Sequence, residues 1–163
     1  MLTFRQAEPA DMGTLLSLIK ELASYEHLEH EVTATEEILT AWLFDKKKAE
    51  VIFPVLEGKI IGYILYFYNF STFLGKAGIY VEDLFIQPNY RHKGFGKQLL
   101  QHIVQKARSE GLGRVEWACL DWNKPSIDFY LSLGAVPMDG WSTYRLTGEK
   151  LCRFAQSTPI DAK

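Results

Sequence analysis

The chain has little of what several functional classes require. Only two of its 163 residues are cysteine, Cys119 and Cys152; they lack metal-ligand spacing and are expected as free thiols in a reducing compartment, Cys119 as a small core residue. His27 and His30 stand three apart with no partnering cysteine or carboxylate pattern, so no metal site is expected. Long apolar runs are also missing. The longest, about Ile60 to Tyr68, falls far short of a membrane span, and Arg5, Glu8 and Asp11 interrupt the first residues, so neither a membrane segment nor a signal-peptide core is expected and a cytoplasmic protein is. Charge is nearly balanced at −2, and Lys and Arg are scattered apart from Lys46-Lys47-Lys48, which has the form of a solvated helix end or loop. That balance gives no nucleic-acid stripe and suits a cationic substrate better. Two phosphate-binding strings, G-x-G-x-x-G and G-x-x-x-x-G-K-[ST], occur nowhere.

What is present is Arg91-His92-Lys93-Gly94-Phe95-Gly96. Before it, Ile79-Tyr80-Val81-Glu82-Asp83-Leu84-Phe85-Ile86 alternates as a strand does; after it, Leu99, Leu100, Ile103, Val104 and Ala107 repeat at helical spacing. The first amides of a helix have no intrahelical acceptor and sit at its positive end, so a glycine-containing turn there suits a pyrophosphate. On spacing alone, Gly94 and Gly96 are equally consistent with a tight turn.

At 163 residues and 47% hydrophobic content, one core is expected and two ordinary domains are not. A strand at Leu2 to Arg5 precedes a helix from near Asp11 that presents Met12, Leu15, Leu16, Ile19 and Leu22. Thr33-Ala34-Thr35-Glu36 has the form of a capping box before a second helix through Ile38, Trp42 and Leu43. A hairpin of Val51 to Leu56 and Ile60 to Asn69 turns at Glu57-Gly58-Lys59. The glycine-loop unit follows, then a strand from Val115 to Leu120, a helix from about Pro125 to Leu133 stopped by Gly134, a closing strand from Trp141 to Leu146, and a short terminal helix at Thr147. One domain over residues 1–155 and a tail over 156–163 are expected.

The R-x-x-G-x-G string and this element order resemble the GNAT superfamily of N-acetyltransferases over nearly the whole chain. Four separated stretches, Tyr25-Glu26, Ser71-Thr72-Phe73-Leu74-Gly75-Lys76, Tyr80-Val81-Glu82-Asp83 and Asp121-Trp122-Asn123-Lys124-Pro125-Ser126-Ile127-Asp128-Phe129-Tyr130, are similar to the diamine acetyltransferase group, which includes spermidine/spermine and thialysine N-acetyltransferases. The resemblance implies an α/β (α+β) GNAT acyltransferase fold, a central mixed and mostly antiparallel sheet flanked by helices. It implies acetyl-CoA as cosubstrate, a homodimer with Trp141 to Leu146 at or across the interface, and partners that include neither nucleic acid nor membrane. It also implies that residues 91–97 (Arg91, His92, Lys93, Gly94, Phe95, Gly96, Lys97) hold the pyrophosphate, and that backbone groups of Leu84, Phe85 and Ile86 hold the acetyl and pantetheine end. Asn123 and Ser126 would lie along the cofactor, Tyr130 near its sulfur, and Phe129 in the core.

The chemistry asks for such parts. An amine with a lysine-like pKa near 10.4 is only about 0.1% unprotonated at neutral pH, so a proton must be removed before the nitrogen attacks a thioester. Glu82 is the candidate base, through water, with Asp83 supporting the substrate; adjacent strand residues are expected on opposite faces. Either acid could equally be a solvated surface charge. Tyr130 is the candidate acid for the leaving thiolate, and the amide of Leu84 or Phe85 the donor to the developing oxyanion where a strand irregularity frees it. Tyr25, Glu26, Ser71, Thr72, Phe73, Glu82, Asp83 and Asp139 are the candidate amine-site residues, with Trp141 nearby if the family layout holds. Where the polyamine branch has an acid and a tryptophan, this chain has Ser71 and Phe73, which favours a thialysine-like amino acid or short diamine. A protein lysine or N-terminus as acceptor, and a non-catalytic acyl-CoA-binding module, are the alternatives; the presence of both Glu82 and Tyr130 argues against the module.

Overall fold

The computed structural model describes residues 1–156; of the tail expected over 156–163, Gln156 ends a helix and the rest lies outside the described residues. The chain divides into two compact units, Met1–Ala118 and a second from Cys119 onward.

The first unit contains the whole sheet, in the order β1 (Leu2–Gln6), β2 (Glu50–Leu56), β4 (Gly62–Ser71), β5 (Lys76–Ile86), β6 (Val115–Trp117), with the two-residue β3 (Lys59–Ile60) paired to β2. Every ladder is antiparallel except β5 with β6. This is the mixed, mostly antiparallel sheet expected. The β2–β3 turn has Glu57 at φ 51° and Gly58 at φ 79°, both left-handed as a two-residue hairpin turn demands.

Each face of the sheet buries one apolar cluster. On one side α1 (Met12–Glu26) covers Val51, Phe53, Tyr63 and Phe85 with Met12, Leu15 and Leu18; on the other, α3 (Phe95–Ser109) covers Ile52, Ile64, Tyr66, Ile79, Val81 and Ile86 with Leu99, Ile103 and Ala107. The Arg5 guanidinium donates to both oxygens of Asp11, at 2.7 and 2.9 Å, and fixes the entry to α1. The expected capping box is corrected: Thr35, not Thr33, caps α2 (Glu36–Thr40), its hydroxyl accepting from Ile38 N–H at 3.3 Å. The helix then widens into a π-helical turn, Ala41–Asp45.

In the second unit, α4 (Lys124–Ser132) begins at Asn123 and ends before Gly134, whose φ of 86° is the left-handed stop expected. α5 spans Gly148–Gln156. The expected strand at Trp141 to Leu146 does not form in the chain; no ladder among the described residues pairs with it, and a strand exists only where its N–H and C=O groups meet a neighbour.

Candidate active site

The site begins with an error in the alternation of β5. Tyr66 pairs with Val81 and Leu65 with Asp83, so Glu82 is an extra residue, a β-bulge. The side chains confirm the phase change. Ile79 and Val81 lie in the α3-side cluster, and so do Leu84 and Ile86, whereas Phe85 lies on the α1 side. Counting outward from Val81 and from Leu84, Glu82 and Asp83 both fall on the α1 face. The expectation that neighbouring acids point to opposite faces is therefore corrected, because the bulge places two consecutive residues on one side.

That face gathers carboxylates. Asp83 is half-buried and accepts from the Tyr63 hydroxyl at 2.8 Å. Burial pushes its carboxyl above the ordinary range and the neighbouring Glu82 charge adds to this, while the Tyr63 hydrogen bond opposes it. Glu26, the last residue of α1, is raised by burial and then by the Asp83 charge. Tyr63 is pushed strongly up by burial and by the same three acids. No cationic side chain contributes to the shift of Glu26 or Asp83, and none of the ion pairs among the described residues includes Glu26, Glu82 or Asp83. Glu82 is exposed. Neighbouring carboxylates that no ion pair among the described residues neutralises suit a cation.

The bulge also ends the parallel ladder. β5 pairs with β6 only over Ile79, Tyr80 and Val81, and β6 stops at Trp117 instead of running to Leu120 as expected. Beyond Val81, no strand among the described residues pairs with that edge of β5. On the other edge, Gln87 N–H donates to Ile61 C=O at 3.0 Å, which sets the hydrogen-bonding phase: Asp83 and Phe85 spend their backbone groups on β4, and Leu84 and Ile86 present theirs to the open edge. Of the amides expected to serve, that of Leu84 is free for the task and that of Phe85 is not. The Phe85 side chain is core, 3% exposed.

The open edge leads into the glycine loop. His92 at φ 60° and Gly94 at φ 78° are both left-handed, the backbone turn that opens α3. α3 has no side-chain cap, unlike α2 and α4, and its first helical bond runs from Gln98 N–H to Gly94 C=O, so the amides of Phe95, Gly96 and Lys97 have no intrahelical acceptor. Gly94 is required by its φ. Gly96 is not: a Cβ there would meet only the side chains of Leu84 at 3.7 Å and Ile86 at 3.8 Å, ordinary contacts. The fold itself tolerates a larger residue at 96, so the missing Cβ leaves a cradle beside the open amides. An anion with an extended tail fits these parts, the anion on the uncapped amides of α3 and the tail along Ile86 and Leu84.

Other expected site residues fall elsewhere. The Phe95 side chain packs against the α3-side core, and Lys93 Nζ donates to Asn89 C=O at 3.1 Å. Ser71, Thr72 and Phe73 form the tip of the β4–β5 hairpin, where the Ser71 hydroxyl accepts from Leu74 N–H at 3.3 Å. Ser71 pairs with Lys76, and at about 3.3 Å per residue the strand carries this tip on the order of 20 Å from Asp83. Within one chain they do not line the acidic face; Ser71 closes a turn. In the second unit, Asn123 is buried and its Oδ1 accepts from Ser126 N–H at 3.4 Å, capping α4. Tyr130 and Phe129 lie together in α4, ring centres 5.2 Å apart and both half-buried. Asp139 lies outside the regular elements. Sequence reasoning missed Tyr63, which stands in an apolar strand run with no pattern to mark it.

A mixed sheet splayed at a bulge, with an uncapped glycine-loop helix beside the open edge, is an acyltransferase architecture. The model of the acetyltransferase (GNAT) family matches residues 14–135, and the chain belongs to that family as an N-acetyltransferase. It is 35% identical to a thialysine N-epsilon-acetyltransferase of Bos taurus, covering 93% of this chain and 95% of that protein. It is 33% identical to an L-ornithine N5-acetyltransferase of Arabidopsis thaliana, covering 90% and 85%. Among solved structures, an integron cassette protein from the mobile metagenome of V. cholerae superposes with a TM-score of 0.80 at 25% identity, covering 95% of this chain and 98% of that one.

Proposed function

We propose that this N-acetyltransferase takes its acetyl group from acetyl-CoA and passes it, by direct attack in a ternary complex, to the terminal amine of a compact cationic amino acid of the thialysine or ornithine type, or to a short diamine. The observation that carries the reading is the bulge at Glu82. It opens one edge of β5 for an acyl carrier and turns two acids onto the adjoining face, so that both substrates meet on the same few residues. The relatives named for thialysine and L-ornithine support a short chain ending in an amine.

Acetyl-CoA supplies, when bound, an activated thioester carbonyl. The amides of residues 94–97 would hold its diphosphate, and Leu84 and Ile86 its amide-bearing tail. Asp83 and Glu26 draw the ammonium to the α1 face; Glu82, exposed on the bulge, takes the proton through water. The Leu84 N–H offers a preorganised donor to the carbonyl oxygen as charge develops there. Tyr130, by its match to the family pattern, gives its proton to the departing sulfur.

A homodimer and a cytoplasmic location belong to the same reading. Trp141 is 75% and Tyr144 93% exposed in a segment with no ladder partner among the described residues, and a second copy offers one. Light scattering would report twice the mass of one chain. Ser71 and Thr72 enter amine selection only through that second copy. The deciding experiment is a screen for CoA release with thialysine, L-ornithine, short diamines, spermine and lysine peptides. Fastest release with a compact amine is expected; fastest release with peptides would make the acceptor a protein, and acetyl-CoA binding without release would leave a binding module.

A further inference from the structure

Tyr63 carries a hydroxyl into a place that packing alone does not ask for. Its ring is 0% exposed, held in the α1-side cluster with Met12, Leu15 and Phe53, and its centre lies 6.3 Å from that of the Phe85 ring. A phenylalanine would fill the same space; a tyrosine there needs a partner for its hydroxyl. That partner is Oδ2 of Asp83, at 2.8 Å. The two residues are not opposite each other in the ladder: Tyr63 pairs with Phe85 and Asp83 with Leu65, so the hydroxyl reaches diagonally along the α1 face.

The charged neighbours of Asp83 set what this hydrogen bond does. Glu82 stands beside it on β5, and Glu26, at the end of α1, is close enough for the two charges to interact. Arg91, the cation of the adjoining loop, is committed elsewhere: its Nε donates to the Ile86 carbonyl at 2.8 Å, and its guanidinium lies over the rings of Tyr25, at 4.5 Å, and Phe85, at 5.4 Å. Tyr25, expected in the aromatic slot for the substrate, therefore has one ring face covered by a cation of the protein. Burial and the Glu82 charge both act against the ionised form of Asp83, and among the described residues the Tyr63 hydroxyl is the interaction that favours it. Burial and the surrounding acids keep the proton on Tyr63, so it is always there to donate.

We infer that Tyr63 is a positioning residue for the amine: its core-fixed hydroxyl holds one oxygen of Asp83 and leaves the other for the ammonium. This deepens the acetyltransferase reading and rests on it. A ring locked in the core cannot follow the carboxylate, so the ring orients the carboxylate, and the amine site is set before a substrate arrives. Nothing has to move. A neutral donor also does what a cation could not: a lysine or arginine in its place would favour the charged acid but would then neutralise it and repel the incoming ammonium.

The test follows the titration of the Asp83 carboxyl by carbon NMR and the pH dependence of amine kinetics, both on the full chain, with thialysine or L-ornithine as the amine. Tyr63→Phe keeps the ring and deletes the hydroxyl. The Asp83 midpoint, and with it the acid limb of kcat/KM, should move up by about one pH unit. On that limb the amine KM should rise about three- to tenfold, and by less above it, where only the orientation is lost; kcat should stay within about threefold and CoA affinity, read by calorimetry, within about twofold. In an Asp83→Asn background the same substitution should leave the acid limb where Asp83→Asn puts it. An Asp83 midpoint that does not move, even with a lower melting temperature, would reduce Tyr63 to packing. That result, or an equal limb shift in the Asp83→Asn background, overturns the positioning role and leaves the acetyltransferase reading standing. No amine-dependent CoA release from the unaltered chain overturns that reading, and the role with it.

Discussion

The two halves of β5 differ more than any two strands of the sheet. From Ile79 to Val81 the strand is paired on both edges, and Ile79 and Val81 are 0% and 2% exposed. From Glu82 to Ile86 it is paired on one edge only, with two acids on one face and two uncommitted amides on the other edge. One inserted residue separates the halves. Were Glu82 paired in regular alternation with no bulge, Asp83 would fall on the Ile79–Val81 row in the α3-side core, where an unpaired carboxylate costs roughly several kcal/mol. The bulge keeps that core apolar and, by the same shift, turns the rest of the strand from structure into a site.

The strongest test of this contrast is at its hinge. Glu82→Gln keeps the bulge and removes the base, so kcat should fall by about 10²–10⁴-fold with the amine KM little changed; Asp83→Asn should instead raise KM. Equal effects at both positions would mean the acids act as one electrostatic patch. Tyr130→Phe, which deletes a single hydroxyl, should lower kcat by about ten- to a thousandfold while leaving acetyl-CoA affinity intact; normal turnover would leave Tyr130 as helix packing beside Phe129. Gly96→Val tests the open half directly. Its Cβ has ordinary contacts in the fold, so melting should change little, yet acetyl-CoA should bind about ten- to a hundredfold more weakly as charge-assisted hydrogen bonds to the diphosphate are blocked. Undiminished affinity would remove the cradle from the site.

Two smaller effects follow from the raised carboxylates. Glu26 and Asp83 hold their protons above the ordinary carboxylate range, so on acidification the amine KM should begin to rise while exposed carboxylates are still charged, and Glu26→Gln should flatten that part of the profile. The stability effect has the opposite sign. Because the folded pKa of Asp83 is raised, the native state keeps a proton that the unfolded chain releases, and stability falls as pH climbs through the unfolded value of about 3.9. Asp83→Asn should therefore melt about 2–4 °C higher at pH 7 and show no difference below about pH 4. A lower melting temperature at pH 7 would mean the Tyr63 hydrogen bond outweighs the burial of charge.

The sequence alone determined the element order as far as α4, the two helix faces and the glycine loop, because each is written in local periodicity: period two in Ile79 to Val81, helical spacing in Leu99, Ile103 and Ala107, a left-handed stop at Gly134. The bulge was also present as a signal, an apolar row that passes from Val81 to Leu84 across two acids, but alternation read strictly assigned those acids to opposite faces. Only the tertiary structure decided that they share one, because the phase of a strand is set by what its neighbours pair with. It also decided that Leu84 and not Phe85 offers its amide, that Arg91 is spent on Tyr25 and Ile86, and that Ser71 closes a distant turn. Trp141 to Leu146 has strand composition and no strand, since a ladder needs a second set of hydrogen-bonding groups. Periodicity reports which face of an element is buried; pairing, register and which edge stays open depend on residues far apart in the chain.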